Sequence, residues 1–156
     1  MTLMLAFYKG EGDWIDRAVR WATRSPYSHV EMARAKTGGL FVGLSSSIRD
    51  GGVRIKSIAR TPGHWDFVPV PWADADAAWQ YARVWIGAGY DLPGILGSQI
   101  VALRRQRPDR WFCSELCAAA LGLGQPETIS PGGLHARVQD MTRAYDLGRA
   151  ERSRTC

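Results

Sequence analysis

The 156-residue chain is poor in cysteine. Only Cys113, Cys117 and Cys156 are present, an odd number that does not make a disulfide framework. Cys113 and Cys117 lie four apart with no matching ligand pair elsewhere, so no zinc site is expected. Long apolar runs are also lacking. No stretch reaches the length needed to cross a bilayer. Segment 3–8 is apolar but short, with no basic residues before it and no small-residue cleavage site after it, so it does not read as a signal peptide. Internal repeats and low-complexity linkers are missing, which leaves a single domain over 1–156. No stacking-aromatic motif or recognition helix accompanies the basic charge, so nucleic acid is not an expected partner.

What is present fits a globular domain. The chain is 46% hydrophobic and 22% charged, the balance of a protein that buries a core without disulfides or a structural metal. Seven tryptophans are many for this length. Trp21, Trp79 and Trp85 fall in helical patterns and are expected in the core. The net charge is +5, with basic clusters at 104–107 and 149–154 that make a solvated surface or attract an anionic lipid or wall polymer. A membrane surface is therefore retained as a possible partner.

The order of elements is strand, helix, several strands, then helices. Segment 3–8 reads as a strand. Asp13 caps a helix in which Trp14, Ile15, Ala18, Val19 and Ala22 recur at helical spacing; Ser25–Pro26 ends it. Strand patterns follow at 28–35, 40–45, 53–58 and 65–70, the first two forming a hairpin across Gly38–Gly39. Helical signals return at 73–86 and 111–123. Segment 92–103 is apolar and reads as a helix on the core or a lipid-contacting loop. A last short helix is expected near 134–145, followed by a flexible tail. This order predicts an α+β domain with a mostly antiparallel sheet packed against helices.

Two segments carry chemistry. In Tyr27-Ser28-His29-Val30-Glu31-Met32, His29 and Glu31 share one strand face at a separation of roughly 6.6 Å. A glutamate can span that gap and fix the tautomer of the ring. In Trp111-Phe112-Cys113-Ser114-Glu115-Leu116-Cys117, Cys113 falls at a helix start, where unpaired N–H groups favour a thiolate. Cys117, one turn further in among alanines, reads as a small core residue. Each piece has a plainer reading: a structural histidine, a core cysteine, a glutamate paired with an arginine.

Taken together, Ser28-His29-Val30-Glu31 on an early strand and Phe112-Cys113-Ser114-Glu115-Leu116 opening a late helix resemble the permuted branch of the NlpC/P60 papain-like superfamily. That branch includes the YiiX-like proteins and relatives of lecithin:retinol acyltransferase, and in it the histidine strand precedes the cysteine helix. Tyr90-Asp91-Leu92-Pro93-Gly94 resembles the tyrosine-aspartate segment often found before that helix. The resemblance covers about 3–123. It implies a papain-like fold and a triad of Cys113, His29 and a polar third member, with Glu31 matching the His-x-Glu form. The acyltransferase relatives carry a second histidine a dozen residues after the first; that position here is Phe41, and His64 and His135 lie elsewhere.

The reading that follows is a cysteine hydrolase working through a thioester, without cofactor or metal. Its substrate would be a peptide or other amide, such as a peptidoglycan stem peptide, and the small basic chain suits a phage- or prophage-type wall-active module. The Cys113 backbone N–H and the Tyr90 hydroxyl are oxyanion candidates, and Tyr27 is a candidate for the substrate groove. The alternatives are a thioesterase or lipid acyl hydrolase using 92–103 at a membrane, and an idle structural or assembly protein of the same fold.

Overall fold

The computed structural model describes residues 3–37, 40–59, 61–90 and 110–154. Chain order gives β1 (Met4–Tyr8), α1 (Trp14–Thr23), β2 (His29–Ala35), β3 (Phe41–Ser47), β4 (Gly52–Ile58), β5 (Trp65–Pro69), α2 (Ala75–Arg83), β6 (Gly89–Tyr90), β7 (Arg110–Trp111), α3 (Cys113–Ala120), a 3₁₀ turn (Pro126–Thr128) and α4 (Pro131–Arg154). The architecture is α+β. A seven-stranded sheet runs β5-β1-β2-β3-β4-β6-β7. Every neighbouring pair is antiparallel except β6–β7, which is parallel and makes the sheet mixed.

Strand alternation divides the apolar residues between two faces. Leu5 and Phe7 of β1, Val30 and Met32 of β2 and Leu44 of β3 join Trp79 of α2, Leu116 and Cys117 of α3, and Leu134 and Val138 of α4 in the main core. The small residues of α3 let it pack tightly there: Cys113, Leu116, Cys117 and Ala118 are fully buried. Truncating such a residue as Leu116 to alanine costs about 2–5 kcal/mol. A smaller cluster on the other face gathers Ala6, Ala33 and Ile58, with Met4, Phe41, Trp65 and Phe67 against them.

The cap on α1 forms as expected. The Asp13 carboxylate accepts from the N–H groups of Ile15 (2.9 Å) and Asp16 (3.2 Å), and Asp16 returns the favour by accepting from the Asp13 N–H at 3.1 Å. The buried face of α1 differs from expectation. Asp16 and Val19 turn inward, while Trp14 and Trp21, seven residues apart and thus on one stripe, are 66% and 80% exposed. The reason is the cap: Asp16 must face Asp13 and Arg49, with which it pairs, and that rotates the tryptophan stripe outward. Trp79 does enter the core, with the Arg34 guanidinium 4.7 Å above its ring, and Trp85 packs at the core's margin against Trp111.

The C-terminus also departs from the expected short helix and flexible tail. Helix α4 runs 24 residues without a break. Pro131 suits a first turn, where an N–H would go unused, and the segment beyond 145 holds one glycine among good helix formers, a cost of only about 1 kcal/mol. Segment 92–103, the Gly38–Gly39 turn, the basic cluster 104–107 and Cys156 lie outside the described residues. No described helix is long and apolar enough to cross a membrane.

Candidate active site

The site grows from two places where elements begin. Antiparallel pairing sets His29, the first residue of β2, opposite Tyr8, the last of β1, and sets Glu31 opposite Ala6. His29 thereby stands at the end of the sheet, and Glu31 lies one pleat further in on the same face. Cys113 is the first residue of α3. The extended Phe112 before it has no side-chain capping group, and the Glu115 carboxylate accepts instead from the Phe112 N–H at 3.4 Å. Two hydroxyls pin this helix start. Ser46 of β3 donates to the Trp111 carbonyl (2.6 Å), and Ser114 donates to the Ile129 carbonyl (2.7 Å).

These anchors bring Cys113, His29 and Glu31 together. The Cys113 side chain lies within electrostatic reach of the His29 ring, and the ring's Nε2 lies 3.1 Å from Glu31 Oε1. Cys113 is fully buried and Glu31 nearly so, while the His29 side chain is 17% exposed. Burial pushes the imidazole toward neutrality, but the adjacent Cys113 sulfur and Glu31 carboxylate outweigh it and raise His29 from 6.5 to about 9. Burial would likewise raise Glu31; His29 and Arg54 overcome this and hold the carboxyl below its usual range. Cys117 differs. Burial first, then its interactions with Cys113 and Glu31, push its thiol well up, so it stays protonated.

Glu31 contacts both His29 and an arginine. Its Oε1 also accepts from Arg54 Nη2 of β4 at 2.8 Å. Arg54 Nε donates to Asp50 Oδ2 at 2.8 Å, and Lys56 Nζ to Asp50 Oδ1 at 2.9 Å. The sequence pattern did not single out Arg54, Asp50 or Lys56; the spacing of Asp50 and Arg54 was visible, but not which strand would lie beside β2. Gly43 is a further unrecognised element. A Cβ there would overlap the Glu31 carboxylate and press on Ile58 Cδ1 at 2.8 Å, so β3 leaves space at that point for a buried charge.

A cavity of about 330 Å³ opens on this face, with Tyr8, His29, Glu31, Arg54, Trp65 and Tyr90 in its wall. Tyr90, on β6, also packs against Val19 and Phe112, next to the helix start. Tyr27 does not line this cavity. It is buried on the other side of the sheet, where its hydroxyl donates to Asp66 (2.8 Å) and meets His135 Nε2 (3.2 Å) and its ring packs on Phe7. The expectation of a groove role for Tyr27 is thus corrected. Strict alternation would put Tyr27, two residues before His29, on the His29 face, but β2 begins only at His29, so Tyr27 lies outside the pleat and its ring turns into the core.

Two other polar residues of the sheet, Ser45 and Asp66, bond elsewhere. Ser45 donates to the Val30 carbonyl (2.6 Å), and Asp66 pairs with Lys9 (2.7 Å) as well as Tyr27. Among the described residues no group of three or more His, Cys, Asp or Glu side chains is placed to hold a metal ion. No family model matches the chain, and no curated protein matches its sequence.

Proposed function

We propose that this protein is a cysteine hydrolase of the circularly permuted papain-like type, cleaving an amide bond through Cys113, His29 and Glu31. One observation carries the reading: the His29 ring is held between a buried carboxylate and a cysteine at a helix start. This arrangement suits a thiolate–imidazolium pair, because the ring remains charged at neutral pH and the helix start favours negative sulfur.

In the proposed cycle the Cys113 sulfur attacks the substrate carbonyl carbon and the C=O electrons move onto oxygen. The Cys113 backbone N–H stabilises that oxyanion, with Tyr90 in the cavity wall as a second donor. Collapse breaks the C–N bond as His29 gives its proton to the departing amine, leaving a thioester. The neutral ring then takes a proton from water, hydroxide attacks the thioester, and Cys113 leaves as thiolate. Glu31 keeps Nε2 occupied throughout, so Nδ1 is the nitrogen that serves the sulfur, and its charge stabilises the imidazolium.

The substrate class proposed is a peptide or related amide, including a cell-wall stem peptide. The test is a parallel assay of purified protein on a muropeptide and on an acyl thioester. Release of a new amine from the muropeptide, lost in Cys113→Ala, is the expected result. Cleavage of the thioester alone would move the activity to acyl hydrolysis. Turnover unchanged in Cys113→Ala would end the cysteine-hydrolase reading.

A further inference from the structure

Three of the charged groups around His29 lie outside the triad, and each has a defined geometry. Groups facing the ring are Cys113 from α3, Glu31 from its own strand, Tyr8 from β1, and, behind Glu31, Arg54 of β4 with Asp50 and Lys56. The notable contact is at one atom. Glu31 Oε1 meets both His29 Nε2 (3.1 Å) and Arg54 Nη2 (2.8 Å). Two cationic groups therefore share one carboxylate oxygen. The second carboxylate oxygen, Oε2, is buried with no hydrogen-bond partner among the described residues and lies against Gly43. Arg54 cannot drift from this position, because its Nε is tied to Asp50, whose other oxygen is tied to Lys56.

We propose that Arg54 is a positioning residue that shares Glu31 Oε1 with His29 and thereby limits how strongly the carboxylate stabilises the imidazolium, and so how readily its Nδ1 proton is released. The proposal rests on the reading of His29 as the acid and base of the site. Its physical basis is that a general acid must release its proton during the reaction. A buried carboxylate with no other partner would bind an imidazolium too strongly for prompt release. A guanidinium on the same oxygen takes up part of that charge and repels the imidazolium. It also fixes the carboxylate's orientation when His29 is momentarily neutral, so the ring returns to the same place.

The test is a titration of the His29 ring by NMR, assigned with His29→Asn, in the wild type, Arg54→Gln and Arg54→Lys. Removing the guanidinium charge is expected to raise the His29 midpoint by about one unit, and Arg54→Lys is expected to stay close to wild type. The alkaline limb of kcat/KM should move with the midpoint, which loss of packing alone would not produce. A folded Arg54→Gln with an unchanged or lowered midpoint overturns the proposal. If Arg54→Gln does not fold, Asp50→Asn is compared with Asp50→Asn/Arg54→Gln, which keeps the Glu31 carboxylate on His29 and leaves no Asp50 carboxylate without its arginine. A higher midpoint in the double variant supports the role, and equal midpoints refute it. The titration needs no substrate, so its outcome is separate from that of the muropeptide assay.

Discussion

Two histidines sit beside carboxylates in this fold, and their titrations are pushed in opposite directions. His29 contacts Glu31 directly and is raised to about 9. His135, on α4, is lowered: burial dominates, Asp66 resists it, and Lys9 adds to it. Asp66 is within the same small cluster but spends its oxygens on Lys9 and the Tyr27 hydroxyl. Tyr27 stands between the carboxylate and the ring, and its own hydroxyl is pushed up to about 12, by burial first and then by Asp66. The contrast teaches that a carboxylate nearby does not make a charged histidine. Direct contact with the carboxylate and the added interaction with the Cys113 side chain decide it.

The sharpest way to break this comparison is to remove the proposed nucleophile. Cys113→Ala is expected to lower turnover on a confirmed substrate by at least about 10³-fold, whereas His135→Ala should leave turnover within about twofold, since its ring packs on Phe7 and Tyr27 away from the cavity. Equal losses in both would erase the distinction between the two histidines.

A milder break targets the carboxylate proposed to orient the ring. Glu31→Gln should keep the fold yet harm turnover, with a loss roughly 10²-fold smaller than that of nucleophile removal. Gly43→Ala should reproduce this loss without touching an ionisable group, because the added methyl displaces the carboxylate; a destabilisation of about 1–3 kcal/mol should accompany it. Full activity in Gly43→Ala would show that Glu31 can work from another position.

The pH dependence of stability sharpens the contrast further. His29 is raised on folding, so its contribution is complete below about 6.5 and is lost as pH climbs through about 9. On the order of 3 kcal/mol is at stake. His135 is lowered, so the fold disfavours its charged form, and stability erodes as pH falls below 6.5. Urea unfolding at acidic, neutral and alkaline pH should show the alkaline loss flattened in His29→Asn and the acid loss flattened in His135→Asn. The reverse assignment would contradict both directions.

The smallest effect belongs to Tyr27. Tyr27→Phe gives up the bonds to Asp66 and His135 and should cost about 1 kcal/mol of stability, measured by denaturant midpoint, with turnover unchanged. A loss of turnover would return Tyr27 to the substrate groove.

Much of this arrangement was legible in the sequence because it is local. Asp13 as a cap, Cys113 at a helix start and the shared face of His29 and Glu31 each depend on residues within one turn or two pleats. What could not be read is what depends on register between distant strands. Arg54 reaches Glu31 only because β3 lies between β2 and β4 in the sheet. The exposure of Trp21 was hidden for a related reason. A helix with two apolar stripes does not announce which one will face in, and here the demand of a single aspartate settles it. Helix α4 outran its pattern because only its first half buries apolar residues, Leu134 and Val138 among them, while the rest continues on helix propensity.

Gly43 poses a problem for anyone who would make this protein sturdier. A glycine inside a strand is an obvious candidate for replacement, since it forgoes side-chain packing and carries an entropic penalty of about 0.5–1 kcal/mol. Its backbone is not in the left-handed region, so nothing in its conformation would warn a designer away. Yet the missing methyl is the room in which the Glu31 carboxylate resides. A screen for thermal tolerance that scored folding alone would treat this position as a defect, and a screen that scored turnover would defend it. At this one residue the sheet gives up rigidity so that a charge can sit inside it.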